Sequence, residues 1–169
     1  MAILGSTWLI AVLVILALLV ILYFVGRKSV HAEVVIEASP EEVWSVLTDI
    51  PKIKDWNTVL IPIEGELTEG ATLTYEFYQD EGGDAAVMGG KVKRIIEHQL
   101  INQAGGMQGV LTFDHQYILT ELDEQTKVTI HEEYRGIMVP FWNPKPVGQA
   151  YERLLESLNQ RVMVLKARE

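Results

Sequence analysis

The sequence predicts an α+β fold in which seven antiparallel strands pack on one long C-terminal helix, preceded by a separate N-terminal transmembrane helix. Three observations predict it. Residues 59–137 read as apolar and polar alternation broken by short turn-forming segments, and short links between successive strands make a sheet antiparallel. Val147, Ala150, Tyr151, Leu154, Leu155, Leu158, Val162 and Leu165 recur every three or four positions, the period of a helix with one apolar face. Residues 2–26 carry no charged side chain, and 8–25 are apolar without a break.

The first element is that apolar run. Eighteen residues at about 1.5 Å per helical residue reach roughly 27 Å, close to the ~30 Å hydrocarbon core of a bilayer. A secretory signal peptide carries a basic start, a shorter apolar centre and a small-x-small cleavage site, and this segment shows none of them. An uncleaved anchor is therefore expected, with Trp8 and the Tyr23-Phe24 pair near the headgroup layers. Arg27 and Lys28 follow the run and nothing basic precedes it, which predicts a single-pass protein of the cell membrane with its N-terminus outside and the following domain cytoplasmic. Residues 1–28 form the anchor and its basic flank, and residues 29–169 form one domain, long enough for a single sizeable core. The absence of cysteine fits a reducing compartment and excludes nothing. With 23 acidic against 14 basic residues the net charge is −9, which argues against nucleic acid as a partner, because phosphate binding needs clustered Lys and Arg.

Within the domain, Val34 and Ile36 alternate with Glu33, Val35 and Glu37, so a strand is expected over 30–38. Ser39-Pro40-Glu41-Glu42 then opens a helix. Ser39 supplies the cap oxygen, Pro40 fits the first helical position, and Glu42 completes a capping box. Val43, Trp44 and Leu47 make its buried stripe. Asp49-Ile50-Pro51 ends it, and a short second helix runs toward Trp56. Six further strands are expected at 58–66, 71–79, 89–98, 100–104, 109–121 and 126–137. The glycines at 82, 83, 89, 90, 105, 106 and 109 read as hairpin punctuation. The long helix opens at Pro144 or Pro146 and runs to about Lys166.

Three segments carry a family likeness: Ala38-Ser39-Pro40-Glu41-Glu42-Val43-Trp44, then Leu47-Thr48-Asp49 through Asp55-Trp56-Asn57, then Glu64-Gly65-Glu66-Leu67-Thr68-Glu69-Gly70. Together they resemble the opening of the SRPBCC (START-like) superfamily, in particular its polyketide cyclase/dehydrase branch. The resemblance covers nearly the whole domain. It implies a helix-grip fold, a curved seven-stranded sheet wrapped over the C-terminal helix with a hydrophobic cavity between them. Members of that superfamily bind lipids, sterols, polyketides, quinones or plant hormones, and some are enzymes or cochaperones. These residues are caps, stripes and turns, so they speak for the fold and not for the chemistry.

Strand alternation nominates the cavity lining. Leu111, Phe113, His115, Tyr117 and Leu119 share the more apolar face of one strand, Val128, Ile130, Glu132 and Tyr134 that of the next, and Leu73, Tyr75 and Phe77 that of a third. The expected ligand-facing residues are Tyr75, Phe77, Phe113, His115, Tyr117, Glu132 and Tyr134, with Leu154, Leu155 and Leu158 from the long helix. Polar groups in such a lining must bond to one another, to water or to a ligand. No catalytic residue, metal site or cofactor is expected. His31, His98 and His131 lack metal-ligand spacing, and no phosphate-binding glycine loop, nucleophile elbow or HExxH motif is present. Residues 136–146 are apolar, aromatic and proline-rich. They form a loop that gates the cavity, rests on the bilayer through Phe141 and Trp142, or folds back as core.

These readings converge on a membrane-tethered binding module for an apolar small molecule. Two other classes stay open: an interaction subunit of a membrane assembly, and a cyclase- or dehydratase-type enzyme.

Overall fold

The computed structural model of the chain describes residues 2–168, with side chains from residue 7 onward, so Met1 and Glu169, the outer limits of the two predicted units, lie outside the described residues. Helix α1 (Ala2–Val25) projects from the domain, and from Thr7 to Val25 its side chains are exposed except Leu22, which is half-buried. Its Thr7–Val25 portion is, among the described residues, the one helix long and apolar enough to cross a membrane, as an anchor or a signal sequence would be. A single residue, Gly26, separates it from β1 (Arg27–Ile36). Arg27 and Lys28, read as a flank after the helix, are thus the first residues of a strand. The strand starts three residues earlier than alternation indicated because Gly26 continues the β1 ladder, its carbonyl accepting from Gly136 N–H at 3.0 Å.

Helix α2 (Pro40–Thr48) carries the full capping box. Glu42 N–H donates to Ser39 Oγ at 3.3 Å, and Ser39 N–H donates to Glu42 Oε2 at 2.6 Å, an arrangement worth about 1 kcal/mol. A 3-10 turn over Ile50–Asp55 follows, as Pro51 indicated. Strands β2 (Leu60–Gly65), β3 (Thr72–Phe77), β4 (Ala86–Ile96), β5 (Leu100–Met107), β6 (Leu111–Leu122) and β7 (Gln125–Arg135) complete the sheet, and α3 (Lys145–Lys166) closes the chain. The sheet is antiparallel throughout, in the order β1-β7-β6-β5-β4-β3-β2. It curves over α3, whose Leu154, Leu155 and Leu158 are fully buried at the centre of the core. This is the helix-grip architecture.

Four of the glycines read as hairpin punctuation lie inside strands. Gly89 and Gly90 belong to β4, and Gly105 and Gly106 belong to β5, with Gly90 paired to Gly105. A Cβ at Gly105 would stand 2.2 Å from the Gly89 carbonyl oxygen and 2.6 Å from the Phe113 ring, so the residue is glycine to let backbone and ring close on it. The β5–β6 turn lies further on, with Gly109 at φ +80°.

Two ends of the domain follow from the register. Trp44 stacks edge-on against His98, which places α2 beside the β4–β5 turn. The β6–β7 turn and the C-terminus of α3 share that end, where Lys166 Nζ donates to the Glu37 carbonyl at 2.8 Å. The opposite end carries the end of α1, the β5–β6 turn and the loop between β7 and α3.

Candidate functional site

The inward faces of β3, β6 and β7 meet α3 as alternation indicated: Tyr75, Phe77, Phe113, His115, Tyr117, Glu132 and Tyr134 are all buried. The polar ones form two groups. In the first, β6 and β7 set His115 opposite Glu132. The Glu132 carboxylate, 2% exposed, accepts from the Tyr134 hydroxyl at 2.6 Å and from the Tyr151 hydroxyl of α3, and His115 Nδ1 lies 3.7 Å away, an ion-pair separation longer than a hydrogen bond. The imidazole stands edge-on to Tyr117 at 4.8 Å and to Tyr151 at 5.3 Å, and its Nε2 is buried with no protein hydrogen-bond partner. In the second group the Tyr75 hydroxyl meets the Gln103 side-chain amide, 2.6 Å from its nitrogen and 2.9 Å from its oxygen.

Burial by itself would raise the Glu132 pKa, but His115 and the two tyrosine donors outweigh it and hold the carboxyl below its ordinary value. Burial pushes the Tyr75 phenol up to about 12 against the hydrogen bond from Gln103. Tyr117, Tyr134 and Tyr151 are raised further, first by burial and then by neighbouring acidic groups, the Glu132 carboxylate among them. Tyr134 and Tyr151 are therefore fixed as donors to one carboxylate oxygen, Glu132 Oε2. Such a set orders a core. Among the described residues no cluster of three His, Asp or Glu side chains has metal-binding geometry.

The space between sheet and helix is mostly filled by these side chains. What remains is a slot of about 30 Å³ walled by Ile50, Ile53 and Trp56 of the 3-10 turn, Leu60 and Leu67, with Tyr75, Gln103 and Tyr117 on the sheet side. That is the room of about one water molecule, whereas drug-sized ligand sites run to roughly 300–1,000 Å³. Larger hollows are open grooves on the outside, one of them beside Lys93, Asp114, Glu133 and Arg135 on the outer sheet face.

Of the residues nominated from sequence, Tyr75 and Tyr117 line the slot. His115, Glu132 and Tyr134 make the carboxylate cluster beside it. Phe77 packs on Tyr151, with ring centres 6.2 Å apart, and Phe113 covers Gly90 and Gly105. Leu154, Leu155 and Leu158 are core beneath them. Phe141 is 73% exposed, while Trp142 folds in against Tyr134 with ring centres 4.5 Å apart. The proline-rich loop thus divides, since Val139 is fully buried and Phe141 points to solvent.

Sequence reasoning did not nominate Tyr151, Gln103 or the walls Ile50, Ile53, Trp56 and Leu67. Tyr151 had a signal: it is the one residue with a polar tip in the apolar stripe of α3. Gln103 had another, alternating with Ile101 on the inward face of β5.

A profile of the polyketide cyclase/dehydrase and lipid transport family matches residues 27–163. No curated protein matches the chain significantly. Among solved structures, a Chromobacterium violaceum protein superposes with a TM-score of 0.65 at 17% identity, covering 79% of this chain and 96% of its own. A START superfamily protein from Mycobacterium smegmatis gives 0.64 at 18% identity, covering 81% and 98%. A norcoclaurine synthase point mutant from Thalictrum flavum, in complex with a transition-state analogue, gives 0.59 at 14% identity, covering 83% and 96%. At these identities the likeness is one of fold.

Proposed function

Because this chain belongs to the polyketide cyclase/dehydrase and lipid transport family, a branch of the START/SRPBCC superfamily, we propose that it is a membrane-tethered module that takes up an apolar small molecule through the slot beside Trp56. Family and fold make it a hydrophobic-ligand or cyclase-like domain; tether, guest and site are our reading. The observation that carries it is the slot's chemistry. Ile50, Ile53, Trp56, Leu60 and Leu67 offer an apolar wall, and the bonded Tyr75–Gln103 pair, with Tyr117 and Asn57, offers a few polar groups along it. A small number of placed polar groups within apolar surroundings is how such sites orient a guest.

At about 30 Å³ the slot is closed, so uptake requires the 3-10 turn and the Leu67 loop to move outward from the sheet. The turn is held by few groups: Asn57 caps the following chain, its Oδ1 accepting from Val59 and Leu60 N–H at 2.9 and 3.0 Å, and only Ile53 of the turn is buried. Anchoring through α1 raises the local concentration of a membrane-soluble guest without any catalytic group. Residues 1–28 then serve as anchor and residues 29–169 as binding domain, with the domain on the cytoplasmic side by the charge of Arg27 and Lys28.

The filled interior favours a second reading, an interaction subunit whose family cavity has closed for good. Native mass spectrometry of the full chain, gently extracted in detergent, separates the two. The expected result is a defined apolar mass on the wild type that is lost in Leu67→Trp, which plugs the slot at its mouth. A wild-type protein free of small molecules but bound to other polypeptides overturns the carrier reading in favour of the subunit.

A further inference from the structure

We propose that the end of the domain from which α1 emerges is a bilayer-docking face, with Met107, Met138 and Phe141 seated among lipid headgroups and Arg27 and Arg135 on their phosphates. The proposal rests on reading α1 as a membrane span.

The first argument is continuity. Gly26, the whole connection between α1 and β1, is buried and bonded on both sides: its N–H donates to the Leu22 carbonyl at 2.8 Å and its carbonyl accepts from Gly136 N–H at 3.0 Å. A Cβ at this position would lie 2.0 Å from the Gly136 oxygen, so the joint is tightly packed. The joint leaves little slack between the domain and the surface that α1 enters. Whatever surrounds Gly136 stands at the membrane.

The second argument is what surrounds it. The loop after β7 is tied to the β5–β6 turn by Ile137 N–H to the Gly109 carbonyl and Met138 N–H to the Val110 carbonyl, each 3.1 Å. Lys28 reaches inward from β1 and donates to the Pro140 and Trp142 carbonyls, holding the loop in place. On this braced platform Met107 is 66%, Met138 49% and Phe141 73% exposed. Among the described residues outside α1, Phe141 is the one exposed aromatic, and the remaining exposed large apolar side chains are branched aliphatics scattered over the domain. Two thioethers and a phenyl ring grouped at one tip are a small apolar patch that water does not favour and an interfacial layer does. Trp142, which packs on Tyr134, is not part of it.

The third argument is charge. Arg27 and Arg135 stand directly opposite each other in the β1–β7 ladder, both exposed, in a chain of net charge −9. Like charges across a strand pair repel unless an anion lies between them. Glu133 accepts from Arg135 at 2.9 Å and answers part of one charge. Two cations beside an apolar tip, at the foot of a span, match an anionic headgroup.

The chain has no cysteine, so single labels are clean. Gln108→Cys, next to Met107 and exposed, reports on the face, Glu124→Cys on the opposite end, and Leu16→Cys on the span. Each is labelled with an environment-sensitive dye and placed in phosphatidylcholine/phosphatidylglycerol vesicles containing doxyl lipid. The expected result is strong quenching at 16, several-fold more quenching at 108 than at 124, and loss of the difference on adding Met138→Ser and Phe141→Ser. Position 108 as unquenched as 124, with 16 quenched, overturns the docking face and leaves the tether standing. Position 16 unquenched overturns the tether and the face with it. Arg27→Gln with Arg135→Gln is expected to halve the quenching at 108 in phosphatidylglycerol vesicles, with excess inorganic phosphate having no effect. Unchanged quenching in that variant, or competition by free phosphate, overturns the lipid-phosphate assignment.

Discussion

Glu132 shows how one side chain settles the character of the interior. Its carboxylate faces His115 on β6, Tyr134 on its own strand and Tyr151 on α3, with Tyr117 just beyond. Its pKa is lowered in the folded state, so the stability it contributes is fully present above the ordinary value of about 4.5 and is lost as pH falls through the lower folded value. Thermal unfolding followed from pH 7 to 3 is expected to show a melting temperature that falls below about pH 4.5. Part of that fall is absent in Glu132→Gln, which at neutral pH is less stable by about 1–3 kcal/mol because an amide cannot accept from both phenols and face the imidazole equally well. Wild-type and variant curves that stay parallel at every pH contradict the assignment. The inward placement of His115 and Glu132 was legible because alternation has only two phases and the apolar neighbours choose one. Their mutual contact with Tyr151 was not, because it joins residues from a strand and a distant helix whose relative rotation no local pattern encodes.

At the scale of elements, the signals that read best were those whose cause is local. The capping box of α2, the proline that opens the 3-10 turn and the apolar stripe of α3 involve partners within a few residues, and each lies where the sequence indicated. Glycine read worst. It serves both to turn a chain and to admit a neighbour, and only the fold reveals that the Phe113 ring lies over Gly105. Gly105→Ala tests that second role. Its Cβ is forced against backbone, at 2.2 Å from the Gly89 oxygen, where no side-chain rotation relieves it. A loss of about 1–3 kcal/mol is expected in chemical denaturation, with Gly82→Ala, which meets nothing within 4 Å but sits at φ +71°, costing about 1 kcal/mol or less. Equal losses at the two positions contradict the packing account.

For the whole molecule, element order and the α+β class were legible because seven strands and an amphipathic helix leave few ways to bury every apolar face. The degree to which the interior is filled was not, since volume depends on how side chains from most of the elements interlock. Sidedness is the remaining global property. A reporter fused after Glu169 is expected to read cytoplasmic, in keeping with Arg27 and Lys28 after an otherwise uncharged span; an external signal contradicts the orientation.

The Gly26 joint has a mechanical consequence. A domain on a long flexible leash samples every bearing, whereas a one-residue joint bonded on both sides keeps the sheet near one bearing relative to α1. On the tethered reading, the heading of the domain follows that of the helix, and a molecule meets its mouth at a bearing set from within the lipid.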